Sequence, residues 1–200
     1  NWSRGCACMK IIFLDRDGVI NTHPGDGEYV KSLSEFTLLP DVGIALKKLL
    51  DAGYLLCIIS NQAGVAKGLY SLKELNRITQ AMEEALKEYG VTFAGIFYCP
   101  HRTEDACECR KPKNGLILKA LAHLQRDNDP IDYSLSYLIG DTMRDMETAQ
   151  NSGLKTILVF TGHEKPHRKP YWTIQPDYTA ENLLHAADII LQKHETRFSS

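Results

Sequence analysis

Ile11-Ile12-Phe13-Leu14-Asp15-Arg16-Asp17-Gly18 is an apolar run that stops on two carboxylates one residue apart. The run reads as a buried strand, and in an open α/β sheet ligands collect just beyond the carboxyl ends of the strands. Asp15 and Asp17 are thereby expected where chemistry is done, and Gly18 permits a tight turn after them. Two ionised carboxylates this close repel each other. A bound hard cation such as Mg²⁺, which takes oxygen ligands and brings phosphate with it, is the economical way to keep both charged. Taken alone, the stretch is equally a strand followed by an Asp-Gly turn.

Two further apolar runs break that tie. Leu55-Leu56-Cys57-Ile58-Ile59 ends on Ser60-Asn61-Gln62, and Tyr137-Leu138-Ile139-Gly140 ends on Asp141, with Asp145 four residues on. Between them lies Arg110-Lys111-Pro112, two cations suited to phosphate. Carboxylate pair, hydroxyl, lysine and distal acid, in this order, resemble the four motifs of the haloacid dehalogenase-like phosphatases, from about Lys10 to Thr161. The resemblance implies that Asp15 attacks phosphorus to form an aspartyl-phosphate, and that Asp17 is the general acid and base. It also implies that Ser60 and Lys111 hold the phosphoryl oxygens. Magnesium would bind to Asp15, Asp141 and the backbone carbonyl of Asp17, with Asp145 supporting the set from outside. Singly, Ser60 also reads as a turn former, Lys111 as a solvated charge and Asp145 as a first-turn acid favoured by the helix dipole.

Strand and helix signals alternate along the chain. A helix opens at Pro40-Asp41 and closes at Gly53. Ser71 and Glu74 form a capping-box pattern for a second helix carrying Leu72, Leu75, Ile78, Met82, Ala85 and Leu86. Val91 to Tyr98 reads as a strand, Gly115 to Gln125 as a helix, and the segment with Met146 and Ala149, ending at Gly153, as another. Thr156 to Phe160 and Asp177 to Thr179 read as strands, and Ala180 to Gln192 as a last helix. Thr161 to Pro176 reads as an irregular loop placed to cover part of the site. The alternation predicts an α/β fold: a three-layer Rossmann-like sandwich with a mostly parallel sheet, helices on both faces, no large cap domain and a small zinc-binding loop.

That loop is Cys99-x-His101-x5-Cys107-x-Cys109. Three thiolates and an imidazole form a closed tetrahedral set for structural Zn²⁺, with no position left for catalysis. A disulfide would leave one thiol over and suits a reducing cytoplasm poorly. Since Arg110 and Lys111 follow Cys109 directly, zinc would fix the residues that meet the phosphate.

Length and charge bound the rest. Two hundred residues with 44% apolar content suit one domain that buries its own core. The expectation is a single domain over residues 10–193, after a leader of doubtful origin at residues 1–9 from which Met9 reads as the natural start. A net charge of −2 with both signs dispersed offers no basis for nucleic-acid or membrane-surface binding. No apolar stretch approaches the roughly 20 residues that cross a bilayer. A cytoplasmic location and, by default, a monomer are expected.

Cys-Pro-His…Cys-x-Cys-Arg-Lys-Pro, with Asp15-Arg16-Asp17-Gly18 and Ser60-Asn61-Gln62, resembles a narrow branch holding the heptose 1,7-bisphosphate phosphatases and the histidinol-phosphate phosphatases. Glu28-Tyr29-Val30, Gln62 to Gly68 and Tyr98 to His101 lean toward removal of the 7-phosphate from a heptose bisphosphate. The resemblance then implies a phosphorylated sugar as partner. Arg16, Asn61, Gln62, Ala63, Lys67 and Arg110 would be its contacts, and His23 to Asp26 would line the pocket. Two departures bear on substrate: only five residues separate His101 from Cys107, and Thr142 stands where the heptose enzymes usually carry lysine. A reading from another class is a zinc-stabilised binding module without catalysis.

Overall fold

The computed structural model describes residues 8–124 and 130–198, with side chains as far as residue 193. Most of the leader expected over residues 1–9, together with Gln125, lies outside the described residues. The sheet comprises β1 (Ile11–Leu14), β2 (Leu55–Asn61), β3 (Gly95–Cys99), β4 (Tyr137–Gly140), β5 (Lys155–Val159) and β6 (Tyr178–Ala180). The helices are α1 (Val42–Asp51), α2 (Leu72–Lys87), α3 (Gly115–Leu124), α4 (Met143–Asn151) and α5 (Leu183–Phe198).

The strand order is β3-β2-β1-β4-β5-β6, and every pairing among them is parallel. All four residues of β1 are buried, and their alternation divides the core in two. Ile12 and Leu14 face a layer built with α1, α2 and α5 through Leu46, Met82 and Ile190. Ile11 and Phe13 face the opposite layer, with Leu116, Ile117 and Ala120 of α3 and Ala149 of α4. The expected three-layer sandwich is what forms. Successive strands run outward from β1 to β3, then restart on the other side at β4, so the crevice between β1 and β4 is the switch point at which such sheets bind ligands.

The structure differs from expectation in several details, among them one-residue shifts at β5 and β6 and a 3-10 helix, Pro166–Tyr171, inside the segment read as irregular loop. Residues 91–94 are not strand: Val91 is buried against the core and pairing begins only at Gly95, opposite Cys57. Leu72 sits in the first turn of α2 but is exposed, since the buried stripe is Leu75, Ile78, Met82 and Leu86. Ala180 ends β6 rather than opening α5. At the other end Met9 is tied in by its N–H to the Pro130 carbonyl, 2.8 Å, and by a bridge to Ile131. No helix among the described residues is long and apolar enough to cross a membrane.

Candidate active site

Asp15 follows β1, Ser60 and Asn61 end β2, and Asp141 follows β4, so three neighbouring strands deliver their polar ends to one cavity of about 480 Å³. Asp15, Asp141 and Asp145 each bring a carboxylate oxygen within 4.8 Å of the others. Close approach needs bare backbone beside them: a side chain on Gly18, at φ +85°, or on Gly162 would collide with Asp141 Oδ2. The loop after β5 wraps the same acid, with the His163 N–H donating to Asp141 Oδ2 at 2.8 Å and the Glu164 N–H to its carbonyl at 2.9 Å.

Lys111 is buried and central. Its Nζ lies 3.1 Å from Asp15 Oδ1, 2.6 Å from Asp145 Oδ1 and 3.0 Å from the Ile59 carbonyl. Its backbone is clamped to β2, for Lys111 N–H donates to Asn61 Oδ1 at 3.0 Å while Asn61 Nδ2 donates to the Lys111 carbonyl at 3.1 Å. Asp145 also closes a capping box on α4, its Oδ2 accepting from the Thr142 hydroxyl at 2.7 Å and the Thr142 N–H at 3.2 Å. The first-turn acid and the support for Lys111 are thus one side chain using two oxygens.

Asp17 belongs to a different network. Arg16 Nε and Asn21 Nδ2 donate to its Oδ1 at 3.0 and 2.9 Å, and Gln62 Nε2 donates to Oδ2 at 2.9 Å. Burial pushes its carboxyl up, but the Arg16 guanidinium and the hydrogen bonds from Asn21 and Gln62 outweigh that and hold it below the usual carboxylate range. Asp15 goes the other way. Burial, joined by the charges of Asp145 and Asp17 and opposed by Lys111, pushes it up to about 6. Asp141 is raised well above its ordinary value by burial and by Asp15 and Asp145, against the His163 N–H and Lys111. Burial pulls Lys111 down, yet Asp145 and Asp15 more than reverse this and keep it protonated. Half-buried Asp15 and buried Asp141 therefore form a pair too rich in negative charge, and an oxygen-seeking divalent cation fits between them.

Beside the cavity, Cys99, His101, Cys107 and Cys109 converge. Their thiols lie 3.3 to 3.6 Å apart, and His101 Nδ1 is 3.6 Å from Cys99 Sγ and 3.3 Å from Cys109 Sγ. Ligands about 2.0 to 2.3 Å from a tetrahedral zinc ion would stand roughly 3.3 to 3.8 Å from one another, so the donor set fits that metal. Arg110 leaves this loop at the cavity wall and donates to the His101 carbonyl at 3.3 Å.

The HAD-hydrolase-like family model matches residues 108–186. A D-glycero-beta-D-manno-heptose-1,7-bisphosphate 7-phosphatase of Haemophilus ducreyi is 42% identical over 76% of this chain and 84% of its own length. The D-glycero-D-manno-heptose-1,7-bisphosphate 7-phosphatase of Chlorobaculum tepidum is 36% identical over 88% and 92%. The chain belongs to the haloacid dehalogenase-like phosphatases. Among solved structures, the D,D-heptose 1,7-bisphosphate phosphatase of B. bronchiseptica, complexed with magnesium and phosphate, superposes with a TM-score of 0.82 at 33% identity, covering 92% of this chain and 99% of that one.

Within this haloacid dehalogenase-like fold, Asp15, Asp17, Ser60, Asn61, Lys67, Arg110, Lys111, Asp141 and Asp145 all line the cavity. So do His23 to Asp26. Three expected contacts do not. Arg16 is fully buried because it alternates with Asp15 and Asp17 and points into the protein, where it pairs with Asp17 and lies 5.7 Å from the Tyr98 ring. Gln62 and Ala63 are likewise buried behind the wall. The carboxylate of Asp17 is absent from the acid cluster, which Asp145 completes instead. The loop from Thr161, read as covering part of the site, does so through His163 and Glu164, whereas Tyr29 and Arg144 were not singled out as wall residues. His163 Nδ1 and His23 Nε2 both approach Asp26 Oδ1, at 2.6 and 3.4 Å, so two loops clasp each other at the mouth. The available signal was position: the loop after β5 also leaves the carboxyl edge of the sheet.

Proposed function

We propose that this chain removes the 7-phosphate of D-glycero-D-manno-heptose 1,7-bisphosphate through an aspartyl-phosphate on Asp15, with residues 10–193 acting as one catalytic domain. The observation that carries this reading is the meeting of Asp15, Asp17, Ser60, Lys111 and Asp141 in one cavity, in a chain 42% identical to a phosphatase named for that substrate.

Asp15 Oδ1 accepts from the Arg16 N–H at 2.8 Å and faces Lys111, which leaves Oδ2 to attack phosphorus as the ester P–O bond breaks. Asp17 gives the departing alkoxide a proton and then takes one from the water that opens the aspartyl-phosphate. The Ser60 hydroxyl and Lys111 ammonium steady the phosphoryl oxygens as charge spreads over them. Magnesium, held by Asp15, Asp141 and the Asp17 carbonyl, supplies charge neutralisation there. Cys99, His101, Cys107 and Cys109 would hold Zn²⁺, which would keep Arg110 and Lys111 in place. Lys67, 5.2 Å from the Tyr29 ring, and Arg110 offer the remote phosphate two cations across the cavity, beside Asn61. Every residue in this scheme comes from one chain, so a monomer suffices, and a set of reduced thiols suits the cytoplasm.

One observation favours the histidinol-phosphate reading: Asp26, Glu28 and Glu164 at the cavity wall would suit a cationic amine. Phosphate release with Mg²⁺ from both heptose bisphosphate anomers and from histidinol phosphate decides between the two. The expected result is preference for a heptose bisphosphate and loss of turnover in EDTA. Preference for histidinol phosphate overturns the substrate, and metal-independent turnover overturns the mechanism.

A further inference from the structure

Gln62 and Tyr70 have no part in the scheme above, yet they form a short, buried polar contact behind it. The Tyr70 hydroxyl donates to Gln62 Oε1 at 2.6 Å. The other end of the same amide donates from Nε2 to Asp17 Oδ2 at 2.9 Å and to Ser60 Oγ at 3.1 Å. Gln62 is fully buried and Tyr70 nearly so, and neither lines the cavity. An amide has two unlike ends. Were this one reversed, Oε1 would face the Asp17 carboxylate and meet its negative charge, and the Tyr70 proton would lose its acceptor. The chain also makes room for the arrangement, since any side chain on Gly64 would strike the Tyr70 ring.

A buried hydroxyl that fixes an amide, which in turn grips Oδ2 of a carboxylate lining the cavity, is a device for aiming that carboxylate. Asp17 keeps 16% of its side chain exposed, on the cavity side, while Arg16, Asn21 and Gln62 hold it from behind. We propose that Tyr70, acting through Gln62, is a positioning residue that orients Asp17 for proton transfer to the leaving group. This rests on the role given to Asp17 above.

The leaving group supplies the test. An alkyl phosphate departs as a poor leaving group that needs the proton from Asp17, whereas 4-nitrophenyl phosphate releases a stable phenolate that does not. Comparing kcat/KM for the two substrates isolates the first phosphoryl transfer, because later hydrolysis of the aspartyl-phosphate does not enter it. Tyr70→Phe, which removes one hydroxyl, is expected to lower kcat/KM about tenfold for the sugar phosphate and less than about twofold for the aryl phosphate, the scale of one lost hydrogen bond. KM should stay nearly constant. Gln62→Met, of similar shape, also frees Ser60 Oγ, so it is expected to lower kcat/KM for both substrates with the sugar phosphate falling about tenfold further, and it serves if Tyr70→Phe fails to show the wild-type circular dichroism. Equal losses on both substrates would mean a merely structural role and overturn the proposal, as would no loss on either. A wild-type protein inactive on both would instead overturn the phosphatase mechanism beneath it.

Discussion

Lys111 follows the Cys99–Cys109 cluster by two residues and its ammonium meets Asp15 and Asp145 of the Asp15–Asp141–Asp145 cluster; both clusters are able to hold a metal ion, but they are built on opposite plans. The first draws four soft donors from one short loop and closes on itself. The second draws hard oxygens from the ends of two strands far apart in the chain and from the first turn of α4, and opens onto the cavity. A local, closed set supports its surroundings; a dispersed, open set leaves room for a reacting group. The consequence is a division of labour in which one cluster should govern stability and the other turnover.

The largest test of that division is Asp15→Asn. Phosphate release should fall by at least about 10³-fold, as expected when a nucleophile is lost, while zinc content by atomic absorption stays unchanged. Thermal stability without magnesium should not fall, because a buried charge has been removed. The opposite change is Cys109→Ser. Zinc should be lost and Tm should drop by about 10 °C, with activity falling because Arg110 and Lys111 lose their anchor. If Cys109→Ser left Tm unchanged, the contrast between the clusters would break.

Acidity sharpens the same contrast. The folded protein holds Asp15 at about 6 against an ordinary 3.8, and Asp141 is raised too, so folding favours their protonated forms. That contribution to stability is complete below the unfolded value of 3.8 and is lost as pH rises through about 6. Metal-free protein should therefore lose about 5 °C of Tm from these groups between pH 5 and pH 7 relative to Asp15→Asn, and Mg²⁺ should restore it by binding the ionised pair. Calorimetry across that range, with and without Mg²⁺, reads the effect. The smallest change is Lys67→Met, which should raise KM for a sugar bisphosphate about fivefold with kcat nearly unaltered, because an exposed cation at the wall contributes to binding alone.

These two clusters also differed in how openly the sequence displayed them. The cysteine loop was legible because its donors are neighbours in the chain. Asp15, Ser60 and Asp141 were legible because each abruptly ends an apolar run, and strand ends share one edge of a parallel sheet. Motif proximity misled at Arg16, Gln62 and Ala63. Adjacent residues on an extended backbone point to opposite sides, so a residue between two cavity acids faces inward. The loop holding His163 and Glu164 was placed over the site, but it carries no periodicity to single out those two residues, and it is their backbone hydrogen bonds to Asp141 that bring them to the wall. The strand read from Val91 began four residues late, since a buried valine looks the same in a loop that packs on the core.

Arg16 has one more effect, exerted from beneath the floor of the cavity. Four carboxylates gather there, and the two interior cations, Arg16 under Asp17 and Lys111 between Asp15 and Asp145, offset half of them. One doubly charged ion cancels what is left. The floor beneath an anionic guest would then carry no net charge, and its attraction is left to the cations of the wall, Lys67 and Arg110.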